Sequence, residues 1–241
     1  MNTLTVVNIG RTRYKSAWDL QRKLFDLRLA GGISDLLLLT EHDHVYTLGK
    51  ASDDHHLLAD AGELQAAGAE VFHIDRGGDI TYHGPGQLVG YPILDLNMYY
   101  RDLHRYLRDL EEVIIRTLGD YAIAAARDEK FTGVWVGSSK IAAIGVKVSR
   151  WITMHGFALN VNTDLAYFDR IIPCGIFHKG VTSIRELTGR AVEFGELSGR
   201  LVKHFGDVFQ AEPRDTSHET LLQMLGQPAA EKREWLPVEN Q

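Results

Sequence analysis

The chain has 241 residues, 44% of them apolar, and a formal net charge of −6. This length and composition fit one globular α/β domain, and the acidic balance gives no general reason to expect a nucleic-acid partner. No apolar run reaches the roughly 18 residues that a membrane helix needs, and the first ten residues lack a secretory pattern. We therefore expect a cytoplasmic protein that spans no membrane.

Hydrophobic periodicity predicts a mixture of strands and helices along the chain. A capping box at Ser16 and Asp19 predicts the start of the first helix. Pro92 favours an edge strand or a bulge for the strand around it. The expected strands cover 4–9, 35–40, 70–74, 87–96, 134–136, 140–148 and 157–161, and further helices are expected over 103–117 and 194–208. The expected organisation is one mixed α/β domain over residues 1–212, with a polar C-terminal extension over 213–241.

The densest unusual segment runs from Arg76 to Gln87 and reads RGGDITYHGPGQ. Glycine permits a close approach between backbone and ligand, whereas a simple tight turn would need no Arg, Thr, Tyr and His around it. A phosphate loop of the Walker type is excluded because no Gly-Lys-Ser/Thr follows. The dinucleotide fingerprint also fails, because Gly84, Gly86 and Gly90 have one residue too many before the third glycine. The segment therefore favours a binding loop over a bare turn.

Two histidine-rich stretches, 41–44 and 53–56, raise the question of a metal site. Neither has the His-Glu-x-x-His spacing of a zinc helix, and no Cys/His pair accompanies them. Exposed loop residues are the preferred interpretation, and no metal is predicted.

The single cysteine, Cys174, stands between a proline and a glycine. A lone cysteine is most often a small buried apolar residue, but a turn of this kind could also expose the thiol to a substrate. The thiol becomes a good nucleophile only as thiolate, with an unperturbed pKa of about 8.5, so it needs a nearby cation. Lys140 is one candidate at the start of a strand, although spacing alone fits a solvent-facing hairpin lysine equally and cannot pair it with Cys174.

Several long motifs in one order closely resemble the octanoyltransferases of lipoate biosynthesis. They are RGGDITYHGPGQLVGY over 76–91, KIAAIGV over 140–146, HGFALN over 155–160 and PCG over 173–175. The resemblance runs from about residue 4 to about residue 210. It implies the catalytic-domain fold of lipoate and biotin protein ligases, which is similar to class II aminoacyl-tRNA synthetases: a mixed sheet flanked by helices.

The resemblance also implies an activity, with roles for individual residues. Octanoyl, or lipoyl, would pass from acyl carrier protein to a lysine of lipoyl domains, those of 2-oxoacid dehydrogenase complexes and of the glycine cleavage H protein. Cys174 would carry the acyl thioester, and Lys140 would lower the pKa of its thiol. Residues that correspond to substrate contacts are Arg76, Gly77, Gly78, Asp79, Ile80, Thr81, Tyr82, His83, Ala143, Ile144, Gly145, Gly156, Phe157 and Ala158. His155 is a secondary candidate.

The thioester donor is already activated, so no ATP, metal or other cofactor is expected. Three rivals remain at this stage. They are an ATP-dependent ligase on the same fold, a binding module for lipoyl domains, and a thioesterase that uses water as acceptor.

Overall fold

A computed structural model describes residues 2–172 and 180–226. The helices are α1 (Tyr14–Leu29), α2 (Ala61–Ala66), α3 (Leu103–Gly119), α4 (Ile184–Thr188), α5 (Phe194–Phe209) and α6 (His218–Met224). The strands are β1 (Asn2–Thr12), β2 (Asp35–His42), β3 (Val45–Leu48), β4 (Glu70–His73), β5 (Thr81–His83), β6 (Gln87–Ile93), β7 (Ala126–Arg127), β8 (Val134–Val136), β9 (Ser139–Ser149), β10 (Ile152–Asn160), β11 (Gly180–Val181) and β12 (Ala211–Asp215). Short 3-10 turns cover Asp54–His56, Leu96–Met98 and Leu165–Arg170.

The strands of the described chain form two sheets. The main sheet has the order β12-β1-β2-β6-β10-β9-β8-β7, with β11 paired to β9, and the small sheet has the order β4-β3-β5. β1 runs parallel to β2 and β12, whereas β2, β6, β10, β9 and β8 follow one another antiparallel. The expected mixed sheet with flanking helices is confirmed.

The alternation of side chains sends neighbouring residues of each central strand to opposite faces of the main sheet. Leu88 packs with α3 and α5 on one face, while Val89 packs with α1 on the other. α3 presents its apolar stripe to the core, and Asp102 accepts a hydrogen bond from Arg105 N to start the helix. The small sheet lies on the α1 side, where Tyr14 contacts Val45 and Ile74. The space between the two sheets holds the site.

The start of α1 differs from the expectation. The helix begins at Tyr14 after Arg13, whose side chain makes no capping bond, so the predicted capping box at Ser16 is wrong. Asp19 instead forms an ion pair with Lys15 one helical turn earlier.

The predicted edge position of Pro92 is also wrong, because β6 lies between β2 and β10. Pro92 is accommodated where the ladder from β6 to β10 has already ended at Gly90 and Phe157. A Cβ on Gly156 would lie 2.6 Å from Pro92 Cδ, so only glycine leaves room for the ring. His155 beside it has a left-handed φ of 60°, which bends β10 at this point.

The C-terminal part of the described chain continues the domain past residue 212. β12 pairs with β1 through Asp215, and α6 buries Leu221 and Leu222. The main sheet therefore crosses the expected boundary, and residues 227–241 of the expected extension lie outside the described residues. None of the described helices combines the length and apolar character needed to cross a membrane.

Candidate active site

A cavity of about 250 Å³ lies between the small sheet and strands β6, β10 and β9 of the main sheet. Three separate sequence motifs meet on its walls. The predicted residues that line it are Arg76, Gly78, Asp79, Ile80, Thr81, His83, Lys140, Ala143, Ile144, Gly145, His155, Gly156, Phe157 and Ala158. Gly77 and Tyr82 lie behind this wall, and Cys174 lies outside the described residues.

The floor of the cavity is a stretch of sheet with almost no side chains. Ala143 pairs directly with Ala158, and Gly145 pairs directly with Gly156, across the ladder between β9 and β10. Bulkier side chains at Ala143 and Ala158 would fill the space above the sheet, whereas a Cβ at Gly145 or Gly156 would meet neighbouring backbone first. The floor can therefore accept a flat apolar chain lying across two strands.

The glycine loop between β4 and β5 forms the roof. Gly77 N donates to Val146 O at 2.9 Å, which docks the loop on β9. A Cβ on Gly145 would lie 2.9 Å from Gly77 O and 3.0 Å from Arg76 Cδ, so glycine at 145 permits this close approach. The Arg76 guanidinium donates to Thr47 O at 2.6 Å and to Thr47 Oγ1 at 3.0 Å. The roof is thus tied to both sheets.

Asp79 connects the loop to a second segment. Its Oδ1 accepts from Ile80 N at 2.7 Å, and its Oδ2 lies 2.6 Å from His56 Nδ1. His56 O in turn accepts from Ile172 N at 2.8 Å, at the end of the described chain before Cys174. The expectation that stretch 53–56 is an exposed loop is wrong for His56, which is half-buried and bonded.

Lys140 lies near one end of β9 and lines the cavity. It pairs with Val181 of β11, and Lys140 O accepts from Thr182 N at 3.0 Å. Val181 also lines the cavity. The chain that follows the undescribed stretch 173–179 therefore returns beside Lys140, seven positions after Cys174 in sequence.

His83 forms part of the inner wall of the cavity, and the buried ring of His42 lies behind it, with ring centroids 5.9 Å apart. His83 Nδ1 donates to Gln87 Oε1 at 2.8 Å, since Gln87 Nε2 donates to Tyr82 O and Asn160 Oδ1. Burial lowers the pKa of His83 to about 3, and lowers the pKa of His42 to about 4. Both rings are therefore neutral at physiological pH. The expectation of an exposed loop is wrong for His42 as well, because it is fully buried.

His155 occupies the far end of the cavity from Lys140. It pairs with Val146, which is six residues along β9 from Lys140, or roughly 20 Å at the rise of a strand. Its Nε2 donates to Asp75 Oδ1 at 2.9 Å, and this bond is the main reason why the pKa of Asp75 lies far below its usual range. Burial lowers the pKa of His155 in spite of the carboxylate. The geometry separates His155 from the lysine.

Sequence reasoning missed several lining residues. Gln87 and Asn160, which hydrogen-bond each other at 2.9 Å, end two of the quoted motifs, and this position in the motifs could have drawn attention to them. Tyr14 and Tyr91 also line the cavity, and burial raises the pKa of both phenols. No local pattern marked Tyr14, which reaches the site from the start of α1.

Comparison with known proteins identifies the family. Residues 13–206 match the sequence model of the "Lipoyl protein ligase A/B catalytic domain" family. An octanoyltransferase of Rubrobacter xylanophilus is 56% identical over 202 residues, covering 83% of this chain and 90% of that protein. Another, of Flavobacterium johnsoniae, is 50% identical over 222 residues, covering 85% and 96%.

A solved structure supports the fold independently. A bipartite lipoate protein ligase from Thermoplasma acidophilum superposes with a TM-score of 0.72 at 16% identity, covering 98% of this chain and 96% of that one. The fold predicted from the motifs is therefore confirmed. With the family match and half or more of the residues shared with named relatives, the chain belongs to the octanoyltransferases, the acyltransferases of lipoate biosynthesis.

Proposed function

We propose that the enzyme transfers octanoyl in two steps through a thioester on Cys174, assisted by Lys140. The observation that carries this is the convergence of Lys140, the bare floor of β9 and β10, and Val181 on one cavity. Val181 belongs to the short strand that follows the Pro-Cys-Gly segment and pairs with Lys140. In this proposal Cys174 supplies the nucleophile, Lys140 supplies the cation, and the floor supplies the apolar slot.

In the first step the Cys174 thiolate attacks the carbonyl carbon of the donor thioester. A new C–S bond forms, the bond to the carrier sulfur breaks, and the carrier thiolate takes a proton, which the Lys140 ammonium can supply. The donor we propose is octanoyl-acyl carrier protein. One thioester replaces another, so the acyl group stays activated and ATP and metal are not needed.

In the second step a neutral lysine amine of a lipoyl domain attacks the enzyme thioester. A C–N bond forms and the C–S bond to Cys174 breaks, while the amine proton passes to Lys140. The product is an amide. We propose lipoyl domains of 2-oxoacid dehydrogenase complexes and the glycine cleavage H protein as acceptors, and the cytoplasm as the compartment because it keeps the thiol reduced.

The acyl chain would lie on the Ala143–Ala158 pair, next to the point where the glycine loop is docked on Gly145. Substrate contacts proposed from the motifs are Arg76, Gly77, Gly78, Asp79, Ile80, Thr81, Tyr82, His83, Ala143, Ile144, Gly145, Gly156, Phe157 and Ala158. About seven methylene-sized groups at about 0.8 kcal/mol each could contribute up to about 5 kcal/mol. His155 remains a secondary candidate, at the far end of the slot.

The test is intact-mass analysis after mixing the enzyme with octanoyl-acyl carrier protein in a buffer without ATP and with a chelator. We expect a gain of one octanoyl group, and its loss when a lipoyl domain is added. Cys174→Ala should gain nothing, and Lys140→Ala should gain the group orders of magnitude more slowly.

Normal transfer by Cys174→Ala would overturn the covalent mechanism. A strict requirement for ATP would favour a ligase. Release of free octanoate without an acceptor would favour a thioesterase.

A further inference from the structure

Trp135 presents its ring to Lys140. Lys140 Nζ lies 4.7 Å from the centroid of the indole, and the tryptophan is only 4% exposed. The face of an aromatic ring carries negative partial charge and attracts an ammonium, most strongly when water is excluded. Trp135 is on β8 and lies outside all the motifs on which the family resemblance depends.

An irregularity in the sheet creates this contact. Val134 pairs with Ala142, but the next residue, Trp135, pairs with Lys140 instead of Ile141. In a strand a shift of one residue moves a side chain to the other face. The extra residue is Ile141 on β9, so the bulge brings the Lys140 side chain to the face of the sheet that carries the Trp135 ring. Bulges are over-represented next to active sites.

The aliphatic part of Lys140 has a matching support. A Cβ on Gly133 would lie 3.4 Å from Lys140 Cε and 2.7 Å from Ala142 O, and Gly133 has a φ of 130°, which favours glycine. Gly133 N donates to Glu111 Oε1 at 3.0 Å. Glu111 is fully buried on α3 and also accepts from Arg108. The loop before β8 is therefore fixed to the core helix.

We propose that Trp135 is a positioning residue for the transfer, whose ring holds the Lys140 ammonium in a fixed place on the wall of the cavity. The inference rests on the proposed function of Lys140 and Cys174, and deepens it by naming what orients the lysine. Gly133 leaves room for the lysine stem, and Glu111 holds the loop before β8. Trp135 itself touches no reacting atom. Charged and titratable groups that share the cavity, or reach it through Gly133, are Tyr14, Arg76, Asp79, His83, Tyr91, Lys130, His155 and Glu111, and a change at Trp135 retains all of them.

The test compares Trp135→Leu with Trp135→Phe, and with Trp151→Leu as a matched control. Trp151 is half-buried at the opposite end of the β9–β10 hairpin from Lys140. The readout is the rate at which iodoacetamide alkylates the enzyme as a function of pH, since the chain has one cysteine. Removing the ring should raise the pH midpoint of alkylation by at most about 1.5 units, because the usual strength of a cation–π contact limits how far the ring can bias the position of the lysine.

The phenylalanine variant should shift the midpoint by less than half as much, because it keeps an aromatic face, and Trp151→Leu should leave it unchanged. In Trp135→Leu the rate of acyl-enzyme formation at saturating donor should fall with little change in KM. A midpoint equal to wild type in folded Trp135→Leu, or a drop in activity matched by an equal drop in Trp135→Phe, would overturn the inference. Transfer by Cys174→Ala would overturn the proposed function instead, so the two failures are distinguishable.

Discussion

The bare floor of the cavity makes acyl-chain length the sharpest quantity to test. Ala158 faces the cavity beside its cross-strand partner Ala143. Valine is well suited to strands, so Ala158→Val changes the slot without breaking the local conformation. It adds two methyl-sized carbons to the floor, and these occupy space that two methylenes of the acyl chain would take.

The magnitude follows from the burial of those two methylenes. At about 0.8 kcal/mol each, their exclusion costs about 1.6 kcal/mol in the octanoyl complex. A hexanoyl chain is two carbons shorter and avoids the new side chain. Since 1.36 kcal/mol is a factor of ten, we expect the ratio of kcat/KM for octanoyl over hexanoyl to fall by about 15-fold.

The assay is a competition between octanoyl- and hexanoyl-acyl carrier protein in one tube, with the two acylated lipoyl domains resolved by mass. Ala126→Val on β7 is the matched control, because Ala126 is an exposed strand residue that does not line the cavity. It should keep the wild-type ratio. An unchanged ratio in a folded Ala158→Val enzyme would refute the assignment of the floor as the acyl slot.

Two further predictions concern the roof and the inner wall. Gly145→Ala places a Cβ against Gly77 O and Arg76 Cδ, and should lower kcat/KM by about tenfold or more, since overpacking costs about 1–3 kcal/mol. The control Gly119→Ala, whose Cβ meets no atom within 4 Å, should keep the wild-type value. Wild-type kinetics in Gly145→Ala would argue against a docked roof. His42 and His83 have pKa values of about 4 and 3 when folded and about 6.5 when unfolded, so the unfolded chain binds more protons between pH 6.5 and 4 and stability falls on acidification through that window. Urea unfolding should show about 2 kcal/mol less stability at pH 5 than at pH 7 for each ring. His83→Gln should remove about half of this loss, whereas His104→Gln, at an exposed position, should leave it unchanged.

Features of the fold that depend on local pattern were predictable. The hairpin of β8 and β9, and the helices α3 and α5, have periodic apolar residues and turn residues within one short window. Pro92 shows where this reasoning fails. A strand residue has one N–H, which points toward a single neighbouring strand, so proline fits an interior strand where that neighbour does not need the bond. The ladder between β6 and β10 ends at Gly90 and Phe157, before Pro92, and the adjoining part of β10 contains Gly156 and His155 with its left-handed φ. That information lies more than sixty residues away in sequence.

The site also has features that the sequence predicted and features that depend on pairing between distant segments. The family resemblance predicted which segments meet, because the motifs correspond to substrate contacts in that family. Direct pairing of Ala143 with Ala158 depends on the register between β9 and β10, and the contact of Lys140 with Trp135 depends on a bulge. Register and bulges are set by pairing across the sheet, so neither can be found from residue types along one strand. Tyr14 reaches the cavity from α1, and this position likewise depends on packing between elements that are distant in sequence.

Lys140 and half of the bare floor belong to one strand, and this has a chemical consequence. Ala143 and Gly145 stand three and five residues from Lys140, or roughly 10 and 17 Å along β9. β9 is paired with β8 at Lys140 and with β10 at Ala143 and Gly145, and this pairing fixes the spacing more firmly than a loop would. The proposed lysine therefore acts at one fixed end of the slot, while the floor sets how much chain fits beyond it. Reactivity and chain length are then governed by different positions, so Ala158→Val should change the preferred acyl length without moving the pH profile, and Trp135→Leu should do the reverse.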